Sequence, residues 1–323
     1  LELLLPPQAS FQSLTSLRDS GSRNVVKSST LYVIDKMKYI NFKNYNGICW
    51  WSGNIADSRE HKYKKSDFVR HFGTPPYGSV SDPALVKDGK TKAINGPKAD
   101  ILKFKKNINA KYNNEISQPF DFSYSRFIEY FEENQKTVLK NQRIDFSTIF
   151  ENPFVGKLNL IRYIVKHIGC RLSDNNIEVD RSLIDFLNGK DTLDHLCITF
   201  HISLDRYVFL KKTESPYLGL SPLDMVVNEN NHSLIHHVYG NFSLGTLDFF
   251  YIYSKNINNS EYPGLHNYFK YPWIVLTPIY INQETLASLE PELKDIQKAE
   301  FDKDDYLSFF FNSKNYFSWY DSR

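Results

Sequence analysis

Cysteine is scarce: the 323-residue chain has three, Cys49, Cys170 and Cys197. An odd, widely spaced set fits neither a disulfide framework nor the ligand spacing of a zinc site. The three read as reduced thiols, which places the chain in a reducing, intracellular compartment, either cytoplasmic or host cytosol for a secreted effector. Long hydrophobic runs are missing as well. The longest, "YPWIVLTPIYI", is too short to span a bilayer and contains Pro278. Neither sign of charge dominates, with 39 Lys and Arg against 37 Asp and Glu and a net charge of +2. That balance excludes a chain that binds nucleic acid over its whole surface.

Aromatic residues are plentiful by contrast. With 24 Phe and 21 Tyr but only 2 Met, the core must be filled by rings. The charge is also unevenly placed. Between Arg59 and Glu115 there are 13 Lys or Arg against 6 Asp or Glu, while Gln283 to Arg323 holds 9 acidic and 5 basic residues. An anionic surface or RNA is therefore a candidate partner for residues 59–115. The glycines of "KDGKTKAINGPKADILKFKK" do not form a phosphate-binding loop, and no cofactor is indicated.

Four regions follow from composition and periodicity. Residues 1–30, rich in Ser, Gln and Pro, read as an extended arm with no basic flank of the signal-peptide kind. Residues 31–122 read as a small mixed α/β region, with a Gly/Pro-rich basic insertion over 73–100. From Ser123 the spacing of Phe127, Ile128, Phe131, Val138 and Leu139 predicts helix. Short helices are expected to continue to 242. Residues 243–323 form an aromatic-rich C-terminal cap with an acidic tail. The fold class is α+β.

"GLSPLDMVVNENNHSLIHHV", residues 219–238, carries the motif reading. Gly219 suits a turn, Ser221 a helix cap and Pro222 a first helical turn. Leu223, Val226 and Val227 would bury one helix, and Leu234, Ile235 and Val238 a second, with Asn230 and Asn231 between them. This stretch resembles an ankyrin repeat. "GKDTLDHLCITFHISLDRYVFL" and "GKLNLIRYIVKHIGC" resemble further, degenerate copies, with Gly169 ending a helix and Cys170 and Cys197 at small buried positions. The resemblance spans about 145–242 and implies an array of short helix pairs presenting a surface to a protein partner. Lys212, Glu214, Tyr217 and Asn228 are the contact residues it implies. His232 and His236 would share a helix face, but Ser233 stands where a zinc protease needs Glu, so no metal site is assigned.

These readings favour a non-enzymatic adaptor or effector that acts by protein–protein interaction. Cys49, in "NYNGICWWSGN", carries the alternative, because a cysteine nucleophile sits at a helix start beside a histidine. A second alternative makes the chain a subunit of a large ribonucleoprotein or protein assembly.

Overall fold

The computed structural model describes residues 38–301 apart from 76, 78–82, 88–89, 215 and 258–270. The arm expected over 1–30 and the last part of the acidic tail, 302–323, lie outside the described residues. Strand β1 (Ile40–Asn41) precedes an irregular segment leading to helix α1 (Lys65–Phe72). A hairpin of β2 (Ala84–Lys87) and β3 (Lys90–Ala93) follows, then a π-helical turn over Tyr112–Ile116. Next come α2 (Gln118–Glu133), α3 (Gln135–Asn141), β4 (Arg143–Asp145), α4 (Pro153–Asp174) and α5 (Arg181–Leu187). Strand β5 (Leu196–Ser203) runs directly into α6 (Leu204–Thr213). Strands β6 (Leu218–Leu220), β7 (Asp224–Asn228), β8 (Asn231–Leu244) and β9 (Leu247–Tyr253) follow in succession. The described chain closes with β10 (Trp273–Val275), β11 (Thr277–Tyr280), α7 (Gln283–Ala287), α8 (Pro291–Lys294) and β12 (Ala299–Glu300).

The array of ankyrin-like helix pairs is not formed. In its place is a curled, mixed sheet of eight strands in the order β1-β8-β9-β5-β11-β12, with β6 and β7 also paired to β8. The supposed helix pair 219–238 is strands β6, β7 and half of β8. Its Asn-rich connection is a hairpin turn, in which Asn228 Oδ1 accepts from the backbone N–H groups of Asn230 and Asn231 at 2.9 and 3.0 Å. Asn suits a tight hairpin as well as it suits a helix–helix turn, and the β-branched Val and Ile pack well on a sheet. Likewise Leu196–Ser203, which lies across the two short helices of a degenerate repeat copy, is a central strand buried along most of its length. The fold is an α+β mix in which helices cover a sheet.

Helix α2 forms as its spacing predicts, burying Phe127, Ile128 and Phe131. Those rings meet the sheet. Phe127 lies 5.9 Å from Phe146, 6.2 Å from Phe200 and 6.4 Å from Phe249 between ring centroids, and Phe242 stacks on Phe249 at 4.3 Å. The main core draws residues from Ile40 to Leu293, so the boundaries expected at 122 and 242 do not divide it. A smaller satellite core of Phe68, Ile94 and Leu102 seats α1 and the β2–β3 hairpin.

Helix α4 is buried on every side from Tyr163 to Ser173, the pattern of a helix enclosed by its own protein. It does not end at Gly169. A Cβ there would stand 2.3 Å from the ring of Trp50, so glycine is needed for close approach inside the helix. Gly169→Val is expected to lower stability by about 1–3 kcal/mol through overpacking. A thermal unfolding curve unchanged from wild type would show that Trp50 does not pack there.

Candidate functional site

Two features meet on α1. One of its faces edges an open groove, and the other closes over a charged cluster in the interior.

The groove has a volume of about 750 Å³ and runs between α1 and the segment 92–101. Lys65, Lys92 and Lys98 line it, with Asp100 as the one carboxylate in the lining. The adjoining hairpin continues the positive charge. Lys87 pairs directly with Lys90 across β2–β3, and Lys92 pairs with Leu85. Cross-strand partners share a face, as do residues two apart. Lys87, Lys90 and Lys92 therefore project from one side, and all three are exposed. Leu85 on that side reaches the satellite core, fixing the hairpin in place. Like charges directly opposite each other destabilise a hairpin. Among the described residues no ion pair neutralises Lys65, Lys87, Lys90, Lys92 or Lys98.

Beneath α1, Lys166 of α4 is buried and meets Glu60 at 3.1 Å, Asp121 at 3.3 Å and the Ser117 hydroxyl at 3.1 Å. Burial opposes the lysine's charge, yet the two carboxylates outweigh it and hold its pKa above the usual lysine range. Burial pushes Glu60 up, against the pull of Lys166. A lysine held charged cannot act as a base toward Ser117, so this serine–lysine contact is an electrostatic tie. Lys64, which caps α1, donates to the Asp121 carbonyl at 2.5 Å and to Ser125 Oγ at 2.7 Å.

Asp67 points inward from α1 and is wholly buried. Desolvation raises its pKa to about 6, despite the Tyr124 hydroxyl beside it and Arg70 at 3.2 Å. Its Oδ2 has no hydrogen-bond partner, and neither has Nδ1 of His167. Both side chains line a small cavity of about 10 Å³ with Tyr124 and Tyr163, on the scale of a single water. Desolvation lowers the His167 pKa to about 3, which keeps the ring neutral while Nε2 bonds the Lys62 carbonyl at 3.0 Å.

No protein-family model, curated protein or solved structure matches the chain.

The residues expected from sequence fall in separate places. Cys49 is buried in a tight loop, where its Sγ accepts from the Ser52 N–H at 3.3 Å. No helix starts there, and no described histidine or carboxylate is hydrogen-bonded to that sulfur. The nucleophile setting is therefore not built around it. Lys212 and Glu214 are exposed at the end of α6, where Glu214 adopts φ +52°. Tyr217 is half-buried, its ring 4.9 Å from the Arg206 guanidinium. Asn228 holds the β7–β8 turn and donates to the Tyr39 hydroxyl at 2.9 Å. These four do not form a repeat surface. His232, His236 and His237 lie on β8 instead of a helix, and the described residues include no cluster of metal-ligating side chains. Cys170 is fully buried, whereas Cys197 is only partly so.

The basic segment was visible in composition. The interior cluster was not singled out, although a signal exists for it: Lys166, His167 and Arg171 interrupt a helix that is otherwise apolar on all faces.

Proposed function

We propose that this chain binds the phosphate backbone of RNA along the lysine face of residues 65–98. The carrying observation is the run of Lys87, Lys90 and Lys92, which no ion pair among the described residues neutralises, continuous with a groove edged by Lys65 and Lys98. A bound polyanion would relieve the repulsion that the hairpin register imposes. Lysine supplies point charges rather than bidentate forks, and among the described residues the groove lining contains no aromatic ring for base stacking. Such contacts position a backbone without reading its sequence. A concave lining suits a strand better than the plane of a bilayer. Among the described residues no helix is long and apolar enough to cross a membrane. This reading fits a subunit of a ribonucleoprotein assembly.

Fluorescence anisotropy with a mixed-sequence single-stranded RNA, repeated over a salt series, tests the reading. Three to five phosphate contacts predict a slope of log K against log salt of roughly −2 to −3.5. The triple variant Lys87→Glu, Lys90→Glu, Lys92→Glu should weaken binding strongly and flatten that slope. Equal binding by the triple variant would sink the proposal. So would capture by anionic phospholipid vesicles with no RNA binding.

A further inference from the structure

At one end of the groove, two cations hold a single exposed carboxylate, and Lys65 lines the same groove. Arg59 donates to Asp100 Oδ1 at 2.8 Å and to the Asp100 carbonyl at 3.2 Å. Lys103 reaches the same Oδ1 at 3.6 Å. His61 lies across a β-bridge from Lys103, and Arg59, Lys65 and Lys103 all press on its ring electrostatically. Its Nε2 is buried without a partner.

This arrangement is short of negative charge. Arg59 and Lys103 bring two positive charges to the one of Asp100, and Lys65 adds a third along the groove lining. The Asp100 side chain is 82% exposed, so its ion pairs contribute little to the fold. Arg59 and Lys103 are held from behind instead: Arg59 Nε donates to the Phe104 carbonyl at 2.8 Å, and the Lys103 backbone is fixed by its bridge to His61. The Arg59 guanidinium would therefore keep its position if the carboxylate left, with the Lys103 backbone fixed beside it. A phosphomonoester dianion offers three acceptor oxygens and up to two charges, which fits the surplus better than a carboxylate does.

We propose that Asp100 is an internal stand-in for a phosphate group, and that Arg59, Lys103 and Lys65 form a subsite for a terminal phosphate at the end of the groove. The subsite rests on the reading of the groove as a phosphate-binding face, and it adds a preference for an end over an interior position. Ligand entry displaces the Asp100 side chain, so Asp100 tunes affinity downward.

The test compares a short RNA with and without a 5′-phosphate, by anisotropy at fixed salt, on wild type, Asp100→Asn and Lys103→Gln. Wild type is expected to favour the phosphorylated oligomer by roughly tenfold. Asp100→Asn should tighten the phosphorylated oligomer several-fold more than the unphosphorylated one, a gain that misfolding cannot produce. Lys103→Gln should erase the preference. Inorganic phosphate alone should move the His61 ring nitrogen signals in a saturable way, at lower concentration in Asp100→Asn. Equal affinity for both oligomers, with Asp100→Asn strengthening both alike, would overturn the subsite and leave the wider groove reading standing. Phosphate-responsive His61 signals in a protein that binds no RNA would sustain the subsite and overturn the polymer.

Discussion

Lys166→Met is expected to cost about 3–5 kcal/mol of stability at neutral pH, because it strands the Glu60 carboxylate in the interior and takes the nearer cation from Asp121. Glu60 is almost wholly buried and pairs with that ammonium, while Asp121 keeps a longer contact with Lys64 at 3.9 Å. Their segments, 57–68 and the start of α2, are joined to α4 through this contact. Urea unfolding between pH 4 and 8 measures the effect. The deficit should shrink toward acid, where Glu60, whose pKa burial already raises, takes up a proton and no longer needs a counter-charge. Replacing all three groups together, as Lys166→Met, Glu60→Gln, Asp121→Asn, should recover much of the loss. A single-variant deficit below about 1 kcal/mol would mean that the cluster is hydrated and not the tie inferred here.

Asp67 should make the protein less stable as pH rises. Its folded pKa, about 6, stands above the ordinary 3.8, so the folded state holds the proton more tightly than the unfolded chain. The resulting stabilisation is complete below the lower value and gone once pH has risen through the upper one. The gap amounts to roughly 3 kcal/mol. Lys64, Arg70, Glu132 and Tyr124 all act on this carboxyl. The informative quantity is therefore the difference between wild type and Asp67→Asn, measured by urea unfolding from pH 3.5 to 7. Asn cannot ionise, so the variant should gain on wild type steadily across that range. Parallel profiles would show that Asp67 is solvated in the folded protein.

Particular residues show why some of this was legible in the sequence and some was not. Phe127, Ile128 and Phe131 recur at helical spacing, and α2 follows because only that period places them on one face. Val226, Val227, Leu234, Ile235 and Val238 fit a helix by spacing and a strand by β-branching, and register shifts in β7 accommodate the adjacent valines. Local pattern alone could not decide between them, and pairing with β9 settled the outcome as strand. Gly169 was misread because a glycine near the end of an apolar run signals a helix stop just as well as a close approach. Trp50, far away in sequence, supplies the reason for it. The excess of lysine over 59–115 was plain from composition. That Lys87, Lys90 and Lys92 share one side depends on a register that the turn fixes and composition does not report. The Asp67–His167 cavity joins residues from four segments and has no local signature at all.

The enclosure of α4 also bears on how the chain emerges from the ribosome. The helix receives its first cover from residues made earlier: Trp50 lies against Gly169, and Asn107 donates to the Cys170 carbonyl. Its opposite side waits for residues made later. Arg171 bonds the carbonyls of Ser221 and Asn241, and Phe242 packs on His167. The interval from the end of α4 to Phe242 corresponds to roughly 3–14 s of synthesis at ~5–20 residues per second. Throughout that interval the nascent chain carries an apolar helix with one flank bare and an arginine without its acceptors. Completion of this fold is therefore tied to arrival of the β8–β9 hairpin, and the nascent chain needs shelter from aggregation until then.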